Sequence, residues 1–170
     1  VLMIDLDLRK ATLGKANEKD HRGVAAYLNG KVADYHENID VLSENLSLLP
    51  VGKLPPNPTE LLLTERFRSM IDSLRKEYDY IFIDCPPIDV VADAAIITKV
   101  VDMTVFVIRA GLLDKRSIPM IKMLYESGKY TRMAMIINGV DLESRKNRSY
   151  GYGYGYGYGY GYGYGYGNED

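Results

Sequence analysis

Short apolar runs alternate with longer amphipathic stretches along the chain, and that alternation predicts its elements. Val1–Ile4, Leu46–Val51, Ile81–Asp84, Met103–Ile108 and Met133–Ile137 are runs of the length and composition of buried strands. Between them lie helical patterns. Arg22–Leu28 is a short one closed by Asn29-Gly30, and Asp93–Val100 is another. Glu60–Glu77 is longer, with apolar residues at 63, 67, 70, 71 and 74, a period near that of an amphipathic helix. Ser117–Ser127 has apolar residues at 118, 121 and 124. Residues 10–20 read as a polar loop, and residues 31–45 match no period. Pro55, Pro56 and Pro58 make Gly52–Pro58 a stiff loop. Asn57 or Thr59 is placed to cap the helix that follows. Strands apolar on both faces, alternating with helices, predict an α/β doubly wound domain with a mostly parallel sheet covered on both sides.

The pattern stops near residue 148. From Tyr150 to Gly167 tyrosine and glycine alternate strictly, before Asn-Glu-Asp. A glycine at every second position raises the cost of ordering, so residues 149–170 are expected to hold no fixed structure behind a domain at 1–148.

Composition narrows the function classes. The 170 residues carry a formal charge of -2, which gives no electrostatic footprint for nucleic acid. The single cysteine, Cys85, excludes an internal disulfide and a cysteine metal cluster. It reads as a small packing residue, and His21 and His36 read as solvated. Arg109, Lys115 and Arg116 could meet a phosphate or a neighbouring subunit, but a solvated surface is the favoured reading. No run approaches the ~20 apolar residues of a membrane span. The chain opens inside a strand at Val1, so the expectation is a fragment whose N-terminal portion is missing.

Two strands end in acids. Ile81–Ile83 is followed by Asp84 and then Pro86-Pro87, which stop the strand; Val1–Ile4 runs into Asp5-Leu-Asp7. In open α/β sheets ligands sit at the carboxyl ends of strands. Three carboxylates at one such edge repel unless a cation joins them, and Mg²⁺ favours carboxylates shared with substrate phosphates. The other reading is that Asp5 and Asp7 merely organise the loop that follows. A phosphate cradle of the form Gly-x-x-x-x-Gly-Lys-Ser/Thr is absent; Gly14-Lys15 lacks both the preceding glycine and the hydroxyl residue.

These residues carry a resemblance. Val-Leu-Met-Ile-Asp-Leu-Asp-Leu-Arg9 resembles the Walker A′ motif of the bacterial tyrosine kinases of capsule and exopolysaccharide export. Ile-Phe-Ile-Asp-Cys-Pro-Pro87 resembles their Walker B motif. Gly23–Gly30, Leu54–Leu62 and the terminal tyrosine cluster are also similar to stretches of that family. The resemblance implies a P-loop-NTPase-like fold, ATP and Mg²⁺ as cofactors, and a protein tyrosine kinase that phosphorylates its own tail. It implies Asp84, Asp7 and Asp5 at the metal, with Asp5 or Asp7, and more readily Asp5, as the base that takes the tyrosine proton. It implies Asn138 at the adenine, although Asn138-Gly139 also reads as a simple turn. The phosphoacceptors would be Tyr150, Tyr152, Tyr154, Tyr156, Tyr158, Tyr160, Tyr162, Tyr164 and Tyr166. The implied partners are copies of itself in a ring and a transmembrane chain-length regulator, fused or separate, at the cytoplasmic face of the bacterial inner membrane.

The departures are the missing P-loop, the missing strand before it, which in that fold is central, and the missing ring-assembly arm. They predict that this chain alone binds ATP poorly and folds weakly. Two other readings stay open: a Walker-type ATPase switch of the partition and septum-placement kind, and a non-catalytic protein with an adhesive Tyr-Gly tail.

Overall fold

The computed structural model describes residues 1–10, 13, 22–87 and 93–140. The chain divides into a compact unit, Val1–Asn138, and a second unit, Gly139–Asp170, of which only Gly139 and Val140 are described. The tyrosine tail and His21 lie outside the described residues.

The first strand, β1 (Leu2–Asp5), is the centre of the larger sheet. Leu2 and Ile4 are fully buried, and the apolar side chains continue inward at Leu6 and Leu8. Next come α1 (Val24–Leu28), a 3₁₀ turn at Tyr35–Asn38, β2 (Asp40–Ser43) and β3 (Leu46–Leu49). β2 and β3 form an antiparallel pair with a register shift between Val41 and Ser43. Residues 31–45, without a legible period, thus supply an antiparallel edge strand. The proline-rich loop leads into α2 (Pro58–Leu62) and α3 (Glu65–Glu77), and then β4 (Ile81–Asp84). The sheet order is β2-β3-β1-β4, with β1 parallel to both neighbours.

Helix α3 buries Phe67, Met70, Ile71 and Leu74, the positions its period marked. The expected single helix at 60–77 is two helices. Thr64 breaks it: its hydroxyl accepts from the Phe67 amide (3.2 Å) and donates to the Leu61 carbonyl (2.7 Å), so it ends one helix and caps the next. Asn57 occupies the N-cap of α2 without a side-chain capping bond.

A second departure concerns the sheet. β4 is followed by α4 (Asp93–Ile97), a 3₁₀ turn at Thr98–Val100, β5 (Val105–Arg109), α5 (Ile118–Glu126) and β6 (Ala134–Asn138). β5 and β6 pair in parallel, but as a separate two-stranded sheet. Thr98, buried, ties the entries of both strands to α4. Its hydroxyl meets that of Thr104 (3.1 Å) and accepts from the Thr131 amide (2.8 Å), while the Thr131 hydroxyl donates to the Thr98 carbonyl (2.8 Å). The expected cover on both faces is incomplete here: Val105, Val107, Met135, Ile136 and Ile137 are exposed. Among the described residues no helix is long and apolar enough to cross a membrane.

His36 is half exposed but not merely solvated. Its ring bridges Asp34 (Nδ1 to Oδ1, 2.6 Å) and Glu77 at the end of α3 (Nε2 to Oε2, 2.9 Å), and it stacks on Tyr35. Glu77 first, then Asp34, raise its pKa above the ordinary 6.5. A raised pKa in the folded state contributes stability that is complete below pH 6.5 and is lost as pH rises through the folded value. His36→Gln is therefore expected to lower the urea midpoint at pH 5.5 and to lower it less at pH 8. An equal effect at both pH values would contradict the charged bridge.

Candidate active site

The carboxyl ends of β1 and β4 bring the predicted acids together. In the parallel register Asp5 is the direct partner of Asp84, and the Leu6 amide donates to the Asp84 carbonyl (2.9 Å). Neighbouring strands lie about 4.8 Å apart, so two carboxylates stand side by side at the sheet edge. Pro86 and Pro87 end β4 at that point, and β1 ends because its own acid turns the chain.

Asp5 is fully buried. Its Oδ1 accepts from the Asp7 amide (3.1 Å) and its Oδ2 from the Leu13 amide (3.1 Å). Asp7, slightly less buried, accepts through Oδ1 from the amides of Arg9 (3.2 Å) and Lys10 (2.9 Å). Both acids thus organise the loop after β1, as the alternative reading of the sequence had it. That reading and a site role are compatible, because each carboxylate oxygen has a second lone pair. β1 ends at Asp5, so the two acids do not share the face of one extended strand; Asp7 lies in the turn beyond it.

Sequence reasoning missed Asp93. This carboxylate is 1% exposed at the start of α4. Its Oδ2 accepts from Arg9 Nε (3.2 Å) and its Oδ1 from the Thr59 hydroxyl (2.7 Å), and Arg9 Nη2 donates to Thr59 Oγ1 (3.1 Å). The triangle joins the Asp5–Asp7 loop, the helix after the proline-rich loop and the segment after β4. A carboxylate ordinarily stays exposed unless paired, so its burial rests on Arg9 and Thr59. The only signal in the sequence was an acid at a helix start, which favours the N-terminus of almost any helix.

Cys85 lies among these acids. Burial, and then the charges of Asp84, Asp7 and Asp93, push its thiol up to about 12. The packing role read from sequence fits a thiol held protonated. Alkylation of native Cys85 by iodoacetamide at pH 8 is expected to run roughly 1000-fold slower than in the urea-unfolded chain. Equal rates would contradict this placement. Asn138 ends β6 beside Arg109, at the carboxyl edge of the other sheet, so it does not share a ladder with Asp5 and Asp84.

No protein-family model matches the chain. It is 40% identical over 149 residues to the tyrosine-protein kinase CpsD of Streptococcus pneumoniae serotype 4, a match covering 85% of this chain and 65% of that protein. The chain thus spans just under two thirds of that relative's length. Among solved structures, the kinase domain of the Escherichia coli tyrosine kinase ETK superposes with a TM-score of 0.74 at 29% identity, covering 91% of this chain and 60% of that one. A cobyrinic acid a,c-diamide synthase from Mycobacterium smegmatis, solved with an ATP analogue and magnesium, shares the fold alone, with a TM-score of 0.60 at 18% identity over 79% of this chain and 57% of that one. Homology over most of its length, together with the shared α/β fold, makes this chain a relative of the bacterial tyrosine-protein kinases.

Proposed function

We propose that this chain carries the acid half of an ATP- and Mg²⁺-dependent protein tyrosine kinase of capsule or exopolysaccharide production, whose substrate is its own tyrosine tail. The observation that carries the reading is the pairing of Asp5 with Asp84 at the carboxyl edge of parallel strands. The donor set fits the cation. Mg²⁺ takes one or two carboxylates and fills its other positions with water and phosphate oxygens. Among the described residues no group of three His, Cys, Asp or Glu could hold a metal ion, so the expected cluster of Asp5, Asp7 and Asp84 is not assembled by protein groups alone. When bound, Mg²⁺ supplies charge neutralisation at the phosphoryl oxygens.

In this reading Asp84 would hold the cation, and Asp5, its register partner, would add its charge while fixing the loop. A tyrosine hydroxyl has a pKa near ~10 and needs a base. We assign that task to Asp7 rather than Asp5, because Asp5 is fully buried with both oxygens in backbone bonds. Arg9, held by Asp93 and Thr59, positions the loop that carries Asp7. Asn138, at the carboxyl edge of the second sheet, would meet the adenine. The acceptors are Tyr150 to Tyr166, and phosphates there would add roughly -1.5 to -2 charges each, repelling neighbouring tails. Assembly into a ring and pairing with a transmembrane chain-length regulator belong to the same proposal.

The test is a chimaera in which the region of CpsD matched by this chain is replaced by the chain, incubated with Mg-ATP. Phosphate on the tyrosines of the tail supports the kinase reading. Phosphate released only to water would make the protein an ATPase switch, and no turnover would leave the interaction-protein reading.

A further inference from the structure

The carboxyl edge of the second sheet presents a cation that the acids of the first do not use. In the parallel register of β5 and β6, Arg109 is the direct partner of Asn138. Register partners on neighbouring parallel strands point to the same face and stand about 4.8 Å apart. A guanidinium and a carboxamide therefore lie side by side where both strands end, and both residues are exposed. Alternation along β5 puts Arg109 on the face of Val105 and Val107, the open face of that strand.

The local charges leave Arg109 uncompensated. Among the described residues it forms no ion pair, whereas Arg9 is held by Asp93, Arg75 by Asp102 and Arg116 by Asp114. Asp114 is the nearest acid along the chain, and its Oδ2 already accepts from Arg116 Nε (2.8 Å). The turn after β5 adds an apolar side chain. The amides of Leu112 and Leu113 both donate to the Arg109 carbonyl (3.2 and 3.4 Å), and the Ala110 amide donates to the Asn138 carbonyl (2.8 Å). Gly111 takes a φ of +81°, and a Cβ there would meet nothing within 4 Å. Leu112 beside it is left 71% exposed.

A planar cation, an amide and a hydrocarbon side chain around open space suit a purine better than a phosphate. A carboxamide pairs with the N6 and N7 edge of adenine. A guanidinium stacks on the face of a base, gaining cation–π attraction with van der Waals contact. A phosphate favours several convergent cationic or amide donors, and here the neighbours of Arg109 are a carboxamide and a leucine. The acids suited to Mg²⁺ and phosphate stand at the ends of β1 and β4, and β1 is paired on both sides, so β5 does not adjoin it. The two sheet edges thus divide the work between the two ends of a nucleotide.

We propose that Arg109 is the base-stacking residue of the nucleotide site: its guanidinium lies on the face of the adenine whose edge Asn138 reads, with Leu112 against the ring. This role rests on Asn138 meeting the adenine. It requires the plane of the guanidinium and not only its charge, so lysine is no substitute.

The isotope-labelled 170-residue chain is titrated with adenosine, with Mg-ATP and with inorganic tripolyphosphate, and followed by NMR. Adenosine and ATP are expected to move the side-chain signals of Arg109, Asn138 and Leu112 together, with the Arg109 Nε proton shifted upfield by the ring current of the base. Tripolyphosphate is expected to leave them in place. Arg109→Ala and Arg109→Lys should each weaken adenosine binding about 10-fold. Both variants should keep the thermal midpoint, since the side chain is exposed and pairs with no described acid. Full affinity in Arg109→Lys would mean that charge alone matters, and overturns the proposal. So does movement of Arg109 by tripolyphosphate as far as by adenosine, which would make it a phosphate contact, and so does no movement with adenosine. Phosphoryl transfer is judged separately. Adenosine stacked on Arg109, with a chimaera that never phosphorylates its tail, would keep this proposal and remove the kinase reading. An active chimaera whose KM for ATP is unchanged by Arg109→Ala would do the reverse.

Discussion

Gly52→Ala is expected to destabilise the chain by roughly 3 kcal/mol or more, a large part of the 5–15 kcal/mol that holds a typical domain together. Gly52 has a φ of +75°, and a Cβ there would lie 1.8 Å from the Arg22 carbonyl oxygen. The opposing residue, Gly23, has a φ of +120°, and its Cβ would lie 2.4 Å from the Val51 carbonyl oxygen. Two backbones cross at this point without room for a side chain on either. The crossing is held by bonds from the amides of Val24 to Pro50 (2.9 Å) and Ala25 to Val51 (3.1 Å), and from the Gly23 amide to buried Asn38 Oδ1 (3.0 Å). The clashing atoms are main chain, so they yield only by separating α1 from the segment after β3. Gly30→Ala is the control. Gly30 also has a positive φ, +74°, but a Cβ there would meet nothing within 4 Å. It is expected to cost only about 1–2 kcal/mol, the penalty of the left-handed conformation. Urea denaturation of both variants checks the pair, and equal losses would contradict the crossing.

Asp84→Asn is expected to lower tyrosine phosphorylation in the CpsD chimaera by roughly 100-fold or more, the scale of removing a group aimed at transition-state charge. The variant is expected to remain folded, because asparagine keeps the shape of the side chain. A loss of phosphorylation in a folded protein separates a site residue from a structural one: an Asp84 that served only the fold would lose activity only in proportion to the protein unfolded. Asp5→Asn provides the contrast. Asp5 holds the amides of Asp7 and Leu13, so its loss should lower stability and activity together.

Much of the fold was legible because local pattern and burial agree. The period of Phe67, Met70, Ile71 and Leu74 named the buried face of α3, and the apolar runs named five of the six strands. What escaped was set by single polar contacts. Thr64 divides a helix whose apolar period runs on unbroken, and β2 is a strand because β3 lies beside it, not because Asp40–Ser43 favours one. The site was legible as a pair of acid-ended strands, since a short strand ending in Asp places its acid at the sheet edge whatever the rest of the chain does. Their partnership needed the register, which puts Asp5 beside Asp84. Asp93 was not legible at all. Its burial depends on Arg9 and Thr59, 84 and 34 residues away in sequence. The separation of β5–β6 from the main sheet also has no local signature, because Val105–Ile108 is as apolar as a central strand needs to be.

Phosphopeptide mass spectrometry of the chimaera after incubation with Mg-ATP, run beside its Asp84→Asn variant, tests the central claim most directly. The account predicts phosphate on tyrosines between Tyr150 and Tyr166, and its loss by roughly 100-fold in the variant while the variant remains folded. Tail tyrosines phosphorylated to the same level in both proteins would contradict it.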